Sequence, residues 1–286
     1  MCELDDCGAT PRRFFLQRST AALALISVGG GGWARAAEIG RMVDFPTPVG
    51  QGRGYLALPE GRQTRPAVLV LHGEIGLPSA HKLTADELAS AGFAALAIER
   101  FSRLPGFDWK AMQEDNRGPR KYLTEAYARE EQKEALGALS FLRRHPAVRN
   151  SRLGAVGFCG GGIRAVRLGI EKSNLAAVVS FYGPPVLLPQ YKAPNDPLID
   201  LVEMADKIRK PLQMHYGTKD YAVNGDDVER LAALARRSGA EVETFDYPGA
   251  THAFYDRTNR EAFAPEAAEL ARGRYLEFLH RLLDPQ

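Results

Sequence analysis

Six short apolar runs, at residues 67–71, 94–98, 153–156, 176–181, 212–216 and 242–247, alternate with stretches of helical period at 82–91, 125–144, 162–170, 226–238 and 266–283. In the second of these helical stretches Leu136, Leu139 and Leu142 fall on one stripe, the spacing of a helix that buries one side. Apolar runs without polar alternation are strands buried on both faces, and strands separated by helices predict a parallel sheet covered on each side. The fold class is therefore α/β, with a mostly parallel central sheet flanked by helices. Segments 43–47 and 54–58 have no helix between them, so they are expected to pair as an antiparallel edge.

The N-terminus follows a different pattern. Pro11-Arg12-Arg13-Phe14-Phe15-Leu16-Gln17 is followed by an uncharged stretch at 19–32 and by Ala34-Arg35-Ala36-Ala37. Paired arginines, a short apolar region and small residues read as a twin-arginine export signal over residues 1–36, cleaved near Ala36 or Ala37. The apolar part is too short and glycine-rich for a membrane span, which takes about 20 apolar residues. The expected location is the periplasm, and residues 37–286 form one domain, read as a monomer.

Removal of that segment changes two inventories. Four arginines and three acidic residues fall within 1–36, leaving 33 basic against 32 acidic residues. Such a balance gives no electrostatic footprint for nucleic acid or a membrane surface. Cys2 and Cys7 also leave, so Cys159 becomes the sole thiol. An internal disulfide and a metal site built on cysteine pairs are both excluded.

Cys159 sits in Gly157-Phe158-Cys159-Gly160-Gly161, between a strand-like run and a helix-like one. This is where an α/β-hydrolase would put its nucleophile, with Cys in place of Ser, and flanking glycines would let neighbouring backbone pass. Ligands of a parallel sheet bind beyond the carboxyl ends of its strands. Three further positions fall there: His72-Gly73-Glu74 after run 67–71, Asp220 after run 212–216, and His252 after run 242–247. The chain order nucleophile, acid, histidine is that of the α/β-hydrolase triad.

With those residues in place, the chain resembles the dienelactone hydrolase (carboxymethylenebutenolidase) family. The resemblance runs from about Arg41 to the C-terminal helix. It is carried by Val70-Leu71-His72, Ile75-Gly76-Leu77, Glu99-Arg100-Phe101-Ser102-Arg103, the Cys159 turn, His215-Tyr216-Gly217 with Asp220, and Tyr247-Pro248-Gly249-Ala250-Thr251-His252-Ala253-Phe254. It implies an α/β-hydrolase fold and hydrolysis of a small-molecule lactone or ester without metal or cofactor. Cys159 would be the nucleophile, His252 the base and Asp220 its orienting acid. The backbone N–H of Gly160, with that of Glu74 or Ile75, would form the oxyanion hole.

The family also carries a thiol-activating Glu and arginines for a substrate carboxylate. Glu74 is the candidate for the first, displaced by one residue from the family spacing. Arg103 matches one arginine. The second is expected four residues after the histidine, where this chain has Asp256 followed by Arg257. Segment 186–207, with Pro189, Pro194 and Pro197, is placed as a lid or surface excursion, and Phe107 and Trp109 as cleft or core aromatics. Two alternatives stay open: a non-catalytic binding or redox-sensing protein, and an acyl transferase or peptidase with the same triad.

Overall fold

An antiparallel pair, β1 (Arg41–Thr47) and β2 (Gly50–Ala57), forms the sheet edge as the sequence predicts. The computed structural model describes residues 39–73, 79–100, 125–171, 174–187 and 200–284, all within the compact unit Ala36–Gln286. Residues 1–36 with Cys2 and Cys7, the loop of Glu74 and Ile75, the segment of Arg103, Phe107 and Trp109, and Pro189, Pro194 and Pro197 lie outside the described residues.

Beyond the edge pair, β3 (Arg65–Leu71), β4 (Ala94–Ile98), β5 (Val148–Phe158), β6 (Leu175–Phe181), β7 (Leu212–Gly217) and β8 (Val242–Tyr247) complete an eight-stranded sheet. Its order is β1-β2-β4-β3-β5-β6-β7-β8. β2 meets β4 antiparallel, and the pairs from β4 through β8 are parallel. Every residue of β4, and every residue of β3 after Arg65, is buried. Both faces of these strands are therefore covered, which explains why they read as unbroken apolar runs. Each buried Val or Leu contributes about 1.5–3 kcal/mol relative to an exposed one.

The covering helices are α1 (Ser79–Ser90), α2 (Glu125–Arg144), α3 (Gly160–Ile170), α4 (Gly225–Arg237) and α5 (Pro265–Leu283). α5 buries Ala268, Ala271, Tyr275, Phe278, Leu279 and Leu283, a stripe at helical spacing. Among the described residues no helix is long and apolar enough to cross a membrane.

Among the boundaries that differ from the sequence expectation, two have a plain physical reason. β5 starts five residues early, because Arg149 to Arg152 are polar and mask the strand; its register on β3 shifts between Arg65 and Ala67. α3 starts at Gly160 and not at residue 162, since glycines weaken the helical signal that the turn itself imposes.

The order of strands also places the site. The chain leaves β3 for β4 on one side and later returns to β5 on the other, so the carboxyl ends of β3 and β5 border a crevice at a topological switch point. Gly73 follows β3 and Cys159 follows β5.

Candidate active site

Cys159 occupies the single residue between β5 and α3 with φ 54° and ψ −125°. Positive φ is uncommon for a side-chain-bearing residue and persists only where surrounding structure enforces it. Here the enforcement is visible. A Cβ on Gly157 would lie 2.0 Å from the Gly161 carbonyl oxygen, and one on Gly161 would lie 2.1 Å from the Leu71 oxygen. The Cys159 N–H donates to the Phe181 carbonyl at 2.9 Å, and the Gly162 N–H donates to the Cys159 carbonyl at 2.8 Å. The neighbouring Gly73 keeps space over the thiol: its Cβ would stand 3.1 Å from Cys159 Cβ. Gly160 opens α3, so its N–H has no partner within the helix and lies at the positive end of the dipole.

Asp220 and His252 are brought together by two interlocked loops. Thr218 N–H donates to the Tyr247 carbonyl at 3.0 Å and Lys219 N–H to the Ala250 carbonyl at 2.9 Å. That approach requires glycine at 217, where a Cβ would be 2.2 Å from the Ala250 oxygen. The Asp220 side chain is fully buried. Its Oδ1 accepts from the N–H groups of Ala222 at 2.8 Å and Val223 at 3.1 Å. His252 Nδ1 lies 2.9 Å from Oδ2 and 3.0 Å from Oδ1 of the same carboxylate.

Cys159 is close enough to His252 to bear on its charge. Burial disfavours the imidazolium, but the hydrogen bond to Asp220 and the nearby Cys159 and Asp220 charges outweigh it, pushing the His252 pKa up to about 10. The structure thus pairs His252 with Asp220, and the charge of Cys159 bears on the same imidazole.

Two tyrosines at the site have no counterpart in the sequence reading. The Tyr182 ring lies 5.0 Å from the His252 ring and Tyr221 lies 5.1 Å from it on the outer side. Tyr182 follows β6 with φ 39°, and its N–H donates to the His215 carbonyl at 2.7 Å. Burial, then the charges of Asp256, Cys159 and Asp220, push its pKa well up, so its phenol stays neutral. Its position at the carboxyl end of a strand was the available signal.

The remaining candidates fare differently. Arg257 is bound to Glu87 of α1, a carboxylate that also accepts from the Tyr255 hydroxyl at 2.6 Å and from the Tyr275 hydroxyl. Its guanidinium is thus engaged with a buried acid that ties the histidine loop to α1 and α5. Glu74, Ile75 and Arg103 lie outside the described residues.

His72 and Gly73, after β3, are held by a second buried ion cluster. Glu131 of α2 bridges Arg100 and Arg164, accepting from Arg164 at 3.2 Å. Arg164 Nη2 donates to the His72 carbonyl at 3.0 Å, and the Arg100 N–H donates to His72 Nε2 at 3.0 Å. Among the described residues no group of three or more His, Cys, Asp or Glu side chains converges to hold a metal ion.

Comparison with known proteins adds an independent line. The model of the dienelactone hydrolase family matches residues 53–283. A probable 2-oxo-3-(5-oxofuran-2-ylidene)propanoate lactonase of Bradyrhizobium sp. is 31% identical over 245 residues, covering 83% of this chain and 92% of that protein. A putative carboxymethylenebutenolidase of Aquifex aeolicus is 30% identical over 238 residues, covering 80% of this chain and 93% of its own length. Among solved structures, a putative dienelactone hydrolase from Klebsiella pneumoniae superposes with a TM-score of 0.75 at 24% identity, covering 86% of this chain and all of the other.

Proposed function

The chain belongs to the dienelactone hydrolase family and hydrolyses an ester or lactone, and we propose that it does so through a Cys159–His252–Asp220 triad and a thioester acyl-enzyme. What supports this reading is a single arrangement: a positive-φ thiol at a strand-to-helix turn, whose charge bears on a histidine held by a buried carboxylate.

In the proposed reaction Cys159 Sγ adds to the carbonyl carbon and its proton resides on His252. Asp220 holds the imidazole through Nδ1, so the other ring nitrogen serves the reaction, and its charge stabilises the imidazolium. The carbonyl oxygen becomes an oxyanion that accepts from the Gly160 N–H, with the N–H of Ile75 or Glu74 as second donor. Collapse of this intermediate breaks the C–O bond, and His252 returns the proton to the leaving oxygen. Water, deprotonated by His252, then attacks the thioester and releases a carboxylic acid and the thiol. For a lactone both products stay in one molecule, a hydroxy or keto acid.

The test is hydrolysis of small aryl esters and enol lactones by the native domain and by its Cys159→Ala and His252→Ala variants. Loss of nearly all turnover in both is expected; full activity in either removes the triad. Export by the twin-arginine route to the periplasm remains part of the proposal. It is checked by cell fractionation of the full chain beside an Arg12→Lys, Arg13→Lys variant, which should stay in the cytoplasm.

A further inference from the structure

Beside the triad lies a pocket lined in part by His81, Phe158, Tyr182, Tyr255, Asp256 and Arg257. It adjoins the reactive groups, since Phe158 precedes Cys159 and the Tyr182 ring packs against His252. Much of its polar wall is already used. The Tyr255 hydroxyl donates to Glu87 Oε1 at 2.6 Å. The Arg257 guanidinium is bound to Oε2 of the same carboxylate, which it shares with Arg272 at 3.2 Å, so it reaches the pocket already held by a buried acid.

Two polar groups stand apart. His81 is 8% exposed, and its Nδ1 has no hydrogen-bond partner, a costly state for a buried polar atom. Its ring is held edge-on to Phe158 at 5.1 Å. Burial lowers its pKa to about 4, against a smaller raising effect of Asp256, so it is neutral at ordinary pH. Asp256 is half-buried; its Oδ1 accepts from the Thr258 N–H at 2.8 Å and from the Thr258 hydroxyl at 2.7 Å. It lines the same pocket as His81 and Tyr182, and its charge bears on both.

We infer that His81 and Asp256 form a subsite that holds a neutral hydrogen-bonding group of the substrate, such as a hydroxyl, and turns away a carboxylate. The inference rests on the ester-hydrolase reading for what the substrate is. A hydroxyl can donate to the Asp256 carboxylate and also pair with His81 Nδ1, giving that nitrogen the partner it lacks. A carboxylate would be pressed against another carboxylate in a partly desolvated site, with the Arg257 guanidinium of the same pocket already engaged by Glu87.

Calorimetry on the Cys159→Ala protein tests this without requiring turnover. The probes are esters of equal length whose acyl or alcohol chain ends in methyl, hydroxyl or carboxylate. In one of the two series the hydroxyl ester is expected to bind roughly tenfold more tightly than the carboxylate ester. Adding Asp256→Asn should narrow that gap, and adding His81→Phe should bring the hydroxyl ester down to the methyl ester. Equal binding of the three, tighter binding of the carboxylate, binding of none, or a gap untouched by both substitutions overturns the subsite. Turnover is read separately on the native protein. Discrimination on the Cys159→Ala protein, with no ester cleaved by the native one, sinks the hydrolase reading and leaves the subsite standing.

Discussion

His252 presents Nδ1 to both carboxylate oxygens of Asp220, at 2.9 and 3.0 Å, while Asp220 Oδ1 is held by two backbone N–H groups. The carboxylate is thus fixed before it fixes the imidazole. In Asp220→Asn the fold keeps its shape but the amide can offer a donor where an acceptor is needed, which selects the wrong imidazole tautomer. Turnover is expected to fall by about two to four orders of magnitude, with little change in KM. Steady-state kinetics beside a circular-dichroism spectrum checks this.

The raised pKa of His252 has a consequence for stability. Its folded value of about 10 lies above the ordinary 6.5, so the stabilisation is complete below 6.5 and is lost as pH rises through about 10. Denaturant titrations at pH 7 and pH 10.5 should show the native protein losing at least about 1 kcal/mol more than His252→Gln, which lacks the titrating group. Parallel losses in the two proteins would contradict the paired imidazolium.

At Gly157 an added methyl meets backbone and not a flexible side chain, 2.0 Å from the Gly161 oxygen. Gly157→Ala must therefore move the turn that carries Cys159. A loss of roughly 1–3 kcal/mol in stability is expected from the overpacking, together with a fall in turnover larger than that stability loss explains. Thermal melts and assays at a temperature where the variant is folded separate the two.

Glu131 carries two buried guanidinium groups, those of Arg100 and Arg164, whose side chains are 4% and 11% exposed. Glu131→Gln removes the acid that bridges them. Removing one partner of a buried ion pair costs about 3–5 kcal/mol, and denaturant unfolding should show a loss in that range.

Much of this was readable in the chain. The apolar runs of β3 and β4 announced a sheet covered on both faces, and the glycines around Cys159 announced the turn, because both signals are local. The polar start of β5 and the glycine-rich start of α3 were hidden because tertiary pairing, not propensity, decides them. Asp220 and His252 could be placed after strands, and the structure adds the contact between them. The engagement of Arg257 by Glu87 could not be read, since 170 residues separate the pair and no periodicity links them. The place of Tyr182 beside His252 has no local signal either, since it depends on the pairing of β6 with β7, across which Tyr182 N–H donates to the His215 carbonyl.

The central claim is covalent, and acid-quenched mass spectrometry of the native protein reacting with a slow aryl ester tests it most directly. The account predicts a transient adduct of the acyl mass on the Cys159 peptide, absent from Cys159→Ala. Turnover of the ester with no adduct on Cys159, or with the acyl group on another residue, would contradict it.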